Sequence, residues 1–341
     1  MQVVQYQEAD RSAWDQFVWQ HDKATFFHLA GWKRAVERIF HHRSVYLLAW
    51  EDGAIQGILP LFLIKSRLFG TFLVSTPFAV YGGVCAITEE ARTLLLERAR
   101  QMAVELRADY LELRNREPDP SQWPQSDLYV TFVKPLPTDP AQCLQQLPRK
   151  ARAAARQGIQ SGLTADLSQD RLEDHYQLNA LQMRRLGSPV LPFSWFQALA
   201  EEFRENFILL TVRHQGQPVS SVFVFFFRDM VLPYYSGTRE EYQQYHPNNF
   251  MYLKLMEYGV EQGYRFFDFG RSRKDTGPYH FKKNQGFDPQ PLCYQYYLNR
   301  AQEIPNVNPS NPKFDLPKRI WQKMPLGVTK WLGPKLVRNI P

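Results

Sequence analysis

Two stretches of the chain share one pattern of apolar and polar positions. Tyr46 to Ile64 reads YLLAWEDGAIQGILPLFLI: an apolar run, a polar break at Asp52-Gly53, then a longer apolar run. Ile208 to Phe227 reads ILLTVRHQGQPVSSVFVFFF and breaks at Gln215-Gly216. Apolar runs separated by two residues ending in glycine predict a β-hairpin, because glycine accepts the positive φ such turns require. Each hairpin leads to a tyrosine–glycine element, VYGG at Val80 to Gly83 and YYSG at Tyr234 to Gly237. Helical spacing of apolar residues follows in EEARTLLLERARQMAVELRA and again in NFMYLKLMEYGVEQGY. Each predicted helix runs into a short strand with an embedded acid, DYLELRN at Asp109 to Asn115 and RFFDFGRS at Arg265 to Ser272.

The same order of elements, met twice, predicts a tandem duplication of an α/β module with mixed sheets. The expected limits are a first domain at 1–146, a second at 147–300 and a C-terminal tail at 301–341. The second domain opens with LPRKARAAARQGIQSGL, Leu147 to Leu163, whose alanines and terminal Gly158 predict a helix with a glycine stop. Arg149, Arg152 and Arg156 recur at spacings of three and four and so share one face. No acid occurs between Asp139 and Asp166 to neutralise them. Arginine forks suit phosphate oxygens, so this face is either a solvated surface or an anion-binding one.

Composition narrows the setting. The 341 residues are 44% apolar and 14% aromatic, enough for real cores and unlike a disordered chain. Met1 to Asp10 lacks the basic start and apolar stretch of a secretory signal, and the apolar run Val219 to Phe227 is too short to span a bilayer. Three scattered cysteines, Cys85, Cys143 and Cys293, form neither a disulfide framework nor a zinc pattern, and no metal site is read. A cytoplasmic protein is the expectation. The net charge of +7 concentrates in the tail, where Lys313, Lys318, Arg319, Lys323, Lys330, Lys335 and Arg338 face only Asp315. Trp321, Met324, Leu326, Trp331, Leu332 and Leu336 alternate with those cations. This is either a solvated segment or one that lies on the inner face of an anionic membrane, broken into short pieces by Pro317, Pro325 and Pro334.

The segment FFDFGRSRKDTGPYHFKKNQGF, Phe266 to Phe287, has no counterpart in the first module beyond its opening strand. Together with TFFHLAGWKR, SRLFGTFLVSTPFAVYGG, DLYVTF, LPYYSGT and the ending NPSNPKF, it resembles the FemAB family. The resemblance is to the subgroup associated with exosortase/PEP-CTERM and exopolysaccharide systems. It implies two tandem acyltransferase domains of the N-acetyltransferase (GNAT) type. Known members of the family attach amino acids from aminoacyl-tRNA to peptidoglycan precursors. The resemblance further implies that Phe281 and Lys282 contact the reacting end of the donor, and that the region of Trp32 and Lys33 helps bind the precursor.

Acyl transfer needs an activated acceptor, a stabilised carbonyl oxygen and alignment of the two. Lys282 is the candidate for the oxyanion or a donor phosphate, and Asp268 for orienting the acceptor or taking its proton. Arg271 and Arg273 are candidates to hold phosphate, Tyr279 to bond substrate, and Tyr234 and Tyr235 to stack on a sugar or base. Core packing is the competing reading for both tyrosines. Direct attack of acceptor on bound donor is expected, because no serine–histidine arrangement is evident. The Arg/Gln-x-x-Gly-x-Gly/Ala loop that cradles pyrophosphate in acetyl-CoA enzymes of this fold is absent from both modules. No tightly bound cofactor is expected; aminoacyl-tRNA is the favoured donor and acyl-CoA the second. The acceptor expected is a sugar- or lipid-linked envelope precursor. The remaining alternative is a non-catalytic adaptor that binds tRNA or another polyanion. The sequence leaves the oligomeric state open.

Overall fold

A computed structural model of the chain describes residues 1–66, 69–117, 123–305 and 315–340; Lys313 and the NPSNPKF ending lie outside them. Two compact units emerge. The first comprises 1–128, 291–311 and 338–341; the second comprises 129–290 and 312–337. Both are mixed α/β.

The two hairpins form as the turn residues require. In the first unit, strands Leu47–Glu51 and Ala54–Leu59 join through Asp52 (φ 50) and Gly53 (φ 77). In the second, Phe207–His214 and Gln217–Phe227 join through Gln215 (φ 50) and Gly216 (φ 79). Two successive left-handed residues make the turn whose twist matches that of the flanking strands. Each hairpin also carries a register shift shortly before its turn, at Ala49/Trp50 and at Val212/Arg213.

The copies then part. Pro60 has no N–H to give to a ladder, so the first unit's outgoing strand ends at Leu59 and resumes as Phe62–Ser66 in a different sheet. The second unit's strand has no proline in its middle and runs for 11 residues. It therefore sits in one six-stranded sheet, in the order Val133–Pro135, Phe266–Asp268, Met230–Thr238, Gln217–Phe227, Phe207–His214, Leu163–Ser168.

Helix Glu89–Glu105 of the first unit runs into strand Tyr110–Asn115, which lies parallel to Gly70–Val74 and antiparallel to Cys293–Leu298. Helix Pro247–Glu261 of the second runs into Phe266–Asp268, parallel to Met230–Thr238 and antiparallel to Val133–Pro135. In each unit the antiparallel partner is a strand that follows the other copy in sequence. This exchange is why the units differ from the expected limits at 146 and 300: Tyr129–Gln146 belongs with the second unit, and 291–300 with the first.

The cores sit where the periodicity placed them. Leu95, Ala99 and Met102 of the first helix pack under its sheet. Phe250, Met251 and Leu255 of the second pack with Ala151 and Ala155 of helix Arg149–Gln160. The tail forms two helices, Asp315–Lys323 and Leu326–Val337, docked on helix Leu172–Leu186 around Trp321. Pro325 separates the two helices, as expected, whereas Pro317 and Pro334 lie inside them.

The tyrosine–glycine elements share a physical reason. A methyl group on Gly83 would collide with the Asn115 side chain, and one on Gly237 with the backbone of Leu178 and Asn179. Backbone cannot swing aside as a side chain can. Gly237→Ala is therefore expected to destabilise the protein by about 3 kcal/mol. Thermal unfolding would register this as a clear drop in Tm, and an unchanged Tm would contradict the close approach.

Candidate active site

The second unit's site is built on the end of the short strand Phe266–Asp268. Strands Met230–Thr238 and Phe266–Asp268 are parallel neighbours for only two residue pairs, Met230 with Phe266 and Val231 with Phe267. Beyond them the longer strand continues alone on that side. A bulge at Tyr234 lies just past this point, because Phe223 pairs with Tyr235 while Val224 pairs with Pro233. Such bulges re-aim a side chain beside a working edge.

Asp268 closes the strand and is 3% exposed. Its carboxylate accepts a 2.7 Å hydrogen bond from the Gly270 N–H and lies 3.5 Å from the Thr131 hydroxyl. Gly270 has φ 65, so the chain reverses here at a position that favours glycine. Helix Gly277–Asn284 then carries Lys282 back over the same turn. The Lys282 amine donates to the carbonyls of Phe269 (2.7 Å), Gly270 (3.0 Å) and Arg271 (3.1 Å). Three acceptors match the three hydrogens of an ammonium. The Phe132 and Phe269 rings lie within 5.6 and 5.8 Å of the same nitrogen. Burial among them lowers the pKa to about 7, against the pull of the Asp268 charge, with Arg271 lowering it further.

Asp268 and Lys282 thus act on one turn from two sides. Other candidates gather around it. Phe281 packs on Tyr252 and Phe269, and Tyr279 sets its ring edge-on to Phe132. The Arg271 guanidinium lies over the Tyr129 ring at 4.5 Å, and Arg273 pairs with Tyr129 across the strands. Tyr235 is held differently: it accepts a 3.0 Å hydrogen bond from Trp195 and meets the Phe196 ring. Tyr234 stands half-buried against Phe225. Arg149, Arg152 and Arg156 lie on helix Arg149–Gln160, whose opposite face, Ala151, Ala155 and Gly158, is buried. Arg149 and Arg156 are exposed, and Arg152 donates to the Gln145 carbonyl.

Trp32 and Lys33 belong to the first unit. Trp32 is fully buried and donates to the Pro77 carbonyl. Lys33 pairs with Glu37 at 2.9 Å and lies 5.2 Å from the centre of the Tyr6 ring.

The first unit also holds a site that sequence reasoning passed over. Between Thr76 and Gly83 the carbonyls are drawn inward by buried donors. Arg114 takes Thr76 and Ala79, Trp32 takes Pro77, Tyr294 takes Val80, the Thr76 hydroxyl takes Tyr81, and His28 takes Gly83. His28 accepts the Thr25 N–H at Nδ1, which leaves Nε2 protonated to make its bond. Arg114 is itself buried and paired with Glu112 at 2.8 Å. Against this fixed loop lies a cavity of about 290 Å³, bounded by Tyr81 to Val84, Arg114 to Glu117 and Asp22-Lys23. Its cations Lys23, Arg92, Arg114 and Arg116 outnumber Asp22 and Glu117. The signal in sequence was the VYGG element, but its partners are far apart along the chain.

Residues 141–283 match the acetyltransferase (GNAT) domain family. No curated protein matches the chain by sequence. Among solved structures, FemX superposes with a TM-score of 0.66 at 16% identity, covering 93% of this chain and all of that one (100%). A tandem GNAT protein from the clavulanic acid biosynthesis pathway gives 0.56 at 12%, with 87% and 98% covered. The C-terminal domain of a putative lysylphosphatidylglycerol synthetase from Agrobacterium fabrum gives 0.57 at 11%, with 85% and 92% covered.

The fold is a tandem of GNAT modules. The matched domain includes the Asp268–Lys282 turn, and the two helix starts of the tandem are unusual for anion binding. Helix Glu89–Glu105 is capped by Thr88 and carries Glu89 and Glu90 in its first turn. Helix Pro247–Glu261 has no acid in its first turn, but Pro247 at its first position removes one N–H donor. Among the described residues, no group of three or more His, Cys, Asp or Glu is placed to hold a metal.

The enclosed amine gives a direct test. NMR titration of the Lys282 Cε resonance is expected to show a midpoint near the lowered value of about 7, against about 10.4 for a solvated lysine. Because the unfolded chain binds the extra proton between those values, this residue makes stability rise with pH from about 7 to about 10. A midpoint near the solvated value would mean the amine is open to water.

Proposed function

We propose that the chain is an acyl- or aminoacyltransferase whose donor reacts at the Asp268–Lys282 turn of the second unit. The observation that carries this reading is the lysine itself: an amine lowered to about 7, over the strand end where two parallel neighbours separate, inside the matched acetyltransferase domain. A donor carbonyl meets this amine by replacing one backbone acceptor, the Arg271 carbonyl being the longest of the three bonds. Charge developing on that oxygen is then met by a nearby cation in a poorly solvated site. Asp268 is the group to orient the acceptor and take its proton as it attacks. Attack is direct, with no enzyme-bound intermediate: the acyl bond to the acceptor forms as the acyl ester (or thioester) bond to the donor breaks, and the proton taken up by Asp268 passes to the released donor hydroxyl (or thiol).

The acceptor we propose is a sugar- or lipid-linked envelope precursor bearing phosphate or carboxylate. The cation-rich cavity of the first unit suits an anionic ligand in its own right, because its walls are held by Arg114, His28 and Trp32 and need little ordering when a ligand enters. The donor we favour is aminoacyl-tRNA. Glu89 and Glu90 complement the dipole of helix Glu89–Glu105 and repel a pyrophosphate there, while Pro247 removes one N–H donor at the start of helix Pro247–Glu261. The exposed arginine face of helix Arg149–Gln160 suits a nucleic-acid backbone. Acyl-CoA is the second reading, favoured by the description of the matched domain as an acetyltransferase.

Purified protein is incubated with charged tRNA and, separately, with labelled acetyl-CoA, each with a set of nucleotide-linked and lipid-linked sugars. Transfer from charged tRNA is expected, and Lys282→Met is expected to reduce it about a hundredfold or more. Asp268→Asn should reduce it comparably while the far-UV circular dichroism stays native. Transfer that survives both substitutions unchanged would reject the assignment. Salt-sensitive binding without any transfer, abolished by changing Arg149, Arg152 and Arg156 together, would identify an adaptor instead.

A further inference from the structure

The tail helices present a second face that their packing does not explain. Their inner face is complete. Trp321 is buried with Ala180 and Val190, and Gly333 lies so close to Val190 that any side chain would collide with its backbone. The Arg184 guanidinium reaches the Met324 carbonyl, Gln322 the Arg185 carbonyl and Lys330 the Gln177 side chain. The pair is thus a fixed part of the second unit.

The outer face is apolar and cationic. Leu316 is 68% exposed, Ile320 50%, Val328 41% and Trp331 65%. Among the described residues these make up four of the ten large hydrophobic side chains that are exposed. The pattern repeats between helices. Counting from buried Trp321, the residues at −5, −2 and +2 are Leu316, Arg319 and Lys323; from buried Gly333 they are Val328, Trp331 and Lys335. At about 100° per residue these offsets point away from the docked face. Lys335 folds its ammonium over the Trp331 ring at 3.6 Å, joining the cation to the largest apolar group. From Asp315 to Arg338 there are six cations and one acid.

We propose that this outer face docks on an anionic phospholipid bilayer, with Trp331, Ile320 and Leu316 seated at the headgroup level and Arg319, Lys323 and Lys335 against the headgroup phosphates. Exposed tryptophan and leucine among lysine and arginine is the chemistry of such an interface. No described helix is long and apolar enough to cross a membrane, so the contact is one of lying on the surface. Charge complementarity selects the lipid over a second copy of this chain, because two such faces repel each other. The inference is independent of the reaction proposed above, and its test uses no substrate.

The full-length protein is sedimented with vesicles of phosphatidylglycerol and phosphatidylcholine, and with vesicles of phosphatidylcholine alone. Binding to the first and not the second is expected, together with a blue shift of tryptophan emission that Trp331→Ala abolishes. Arg319→Glu with Lys323→Glu should weaken binding at least tenfold, since each cation near the surface is worth roughly fivefold. Leu316→Ser with Ile320→Ser should weaken it as well. All these positions are exposed, and an unchanged Tm would confirm that the fold is kept. Failure to sediment with anionic vesicles overturns the proposal. So does binding that is indifferent to both double substitutions, or a dimer in sedimentation equilibrium that those substitutions dissolve.

Discussion

An ammonium group on three carbonyls holds the second unit's site in shape. Without Lys282 the acceptors of Phe269, Gly270 and Arg271 would face one another around an apolar hollow bounded by Phe132 and Phe269. Unpaired buried carbonyls are costly, so the turn would open. The same enclosure sets the amine's pKa, because burial and the Arg271 charge favour the neutral form while the Asp268 charge favours the protonated one. The shape of the turn and the lowered pKa of its lysine therefore share one origin.

The first copy shows what the module is like without that group. Its corresponding strand, Tyr110–Asn115, ends not in a glycine turn but in Arg114 and Asn115, both turned to structural work. Arg114 gathers two carbonyls of the 76–83 segment, and Asn115 bonds Gln295 and the Val84 N–H. The strand end that carries the turn closed by Lys282 in one copy thus lies beside a cation-lined cavity in the other. Pro60 deepens the difference by splitting the first unit's strand between two sheets. The two modules share a scaffold, and their strand ends differ on it.

Local features were legible in the chain. The hairpins could be read because positive φ at Asp52-Gly53 and Gln215-Gly216 is a property of the turn itself. The helices could be read from their apolar spacing, and the second copy's added Gly-rich cationic segment from its absence in the first. What could not be read depends on distant partners. Cys293–Leu298 pairs with Tyr110–Asn115 across a long sequence gap, so the limits of the units did not follow from composition. Trp32 stood out beside Lys33 as a candidate for binding precursor, yet its indole is buried on the Pro77 carbonyl. His28 showed no pattern along the chain, because its role depends on meeting Gly83. Lys282 was singled out as a charge to be offered to substrate; that its three hydrogens also close a backbone turn needed the fold.

Lys282 is proposed to meet the donor's carbonyl. The most direct measurement is a crystal structure with a non-hydrolysable, amide-linked aminoacyl-nucleotide bound. The donor carbonyl oxygen should lie about 3 Å from the Lys282 Nζ, with the bond to the Arg271 carbonyl broken and those to Phe269 and Gly270 kept. A donor bound elsewhere, with all three backbone bonds intact, would contradict the account.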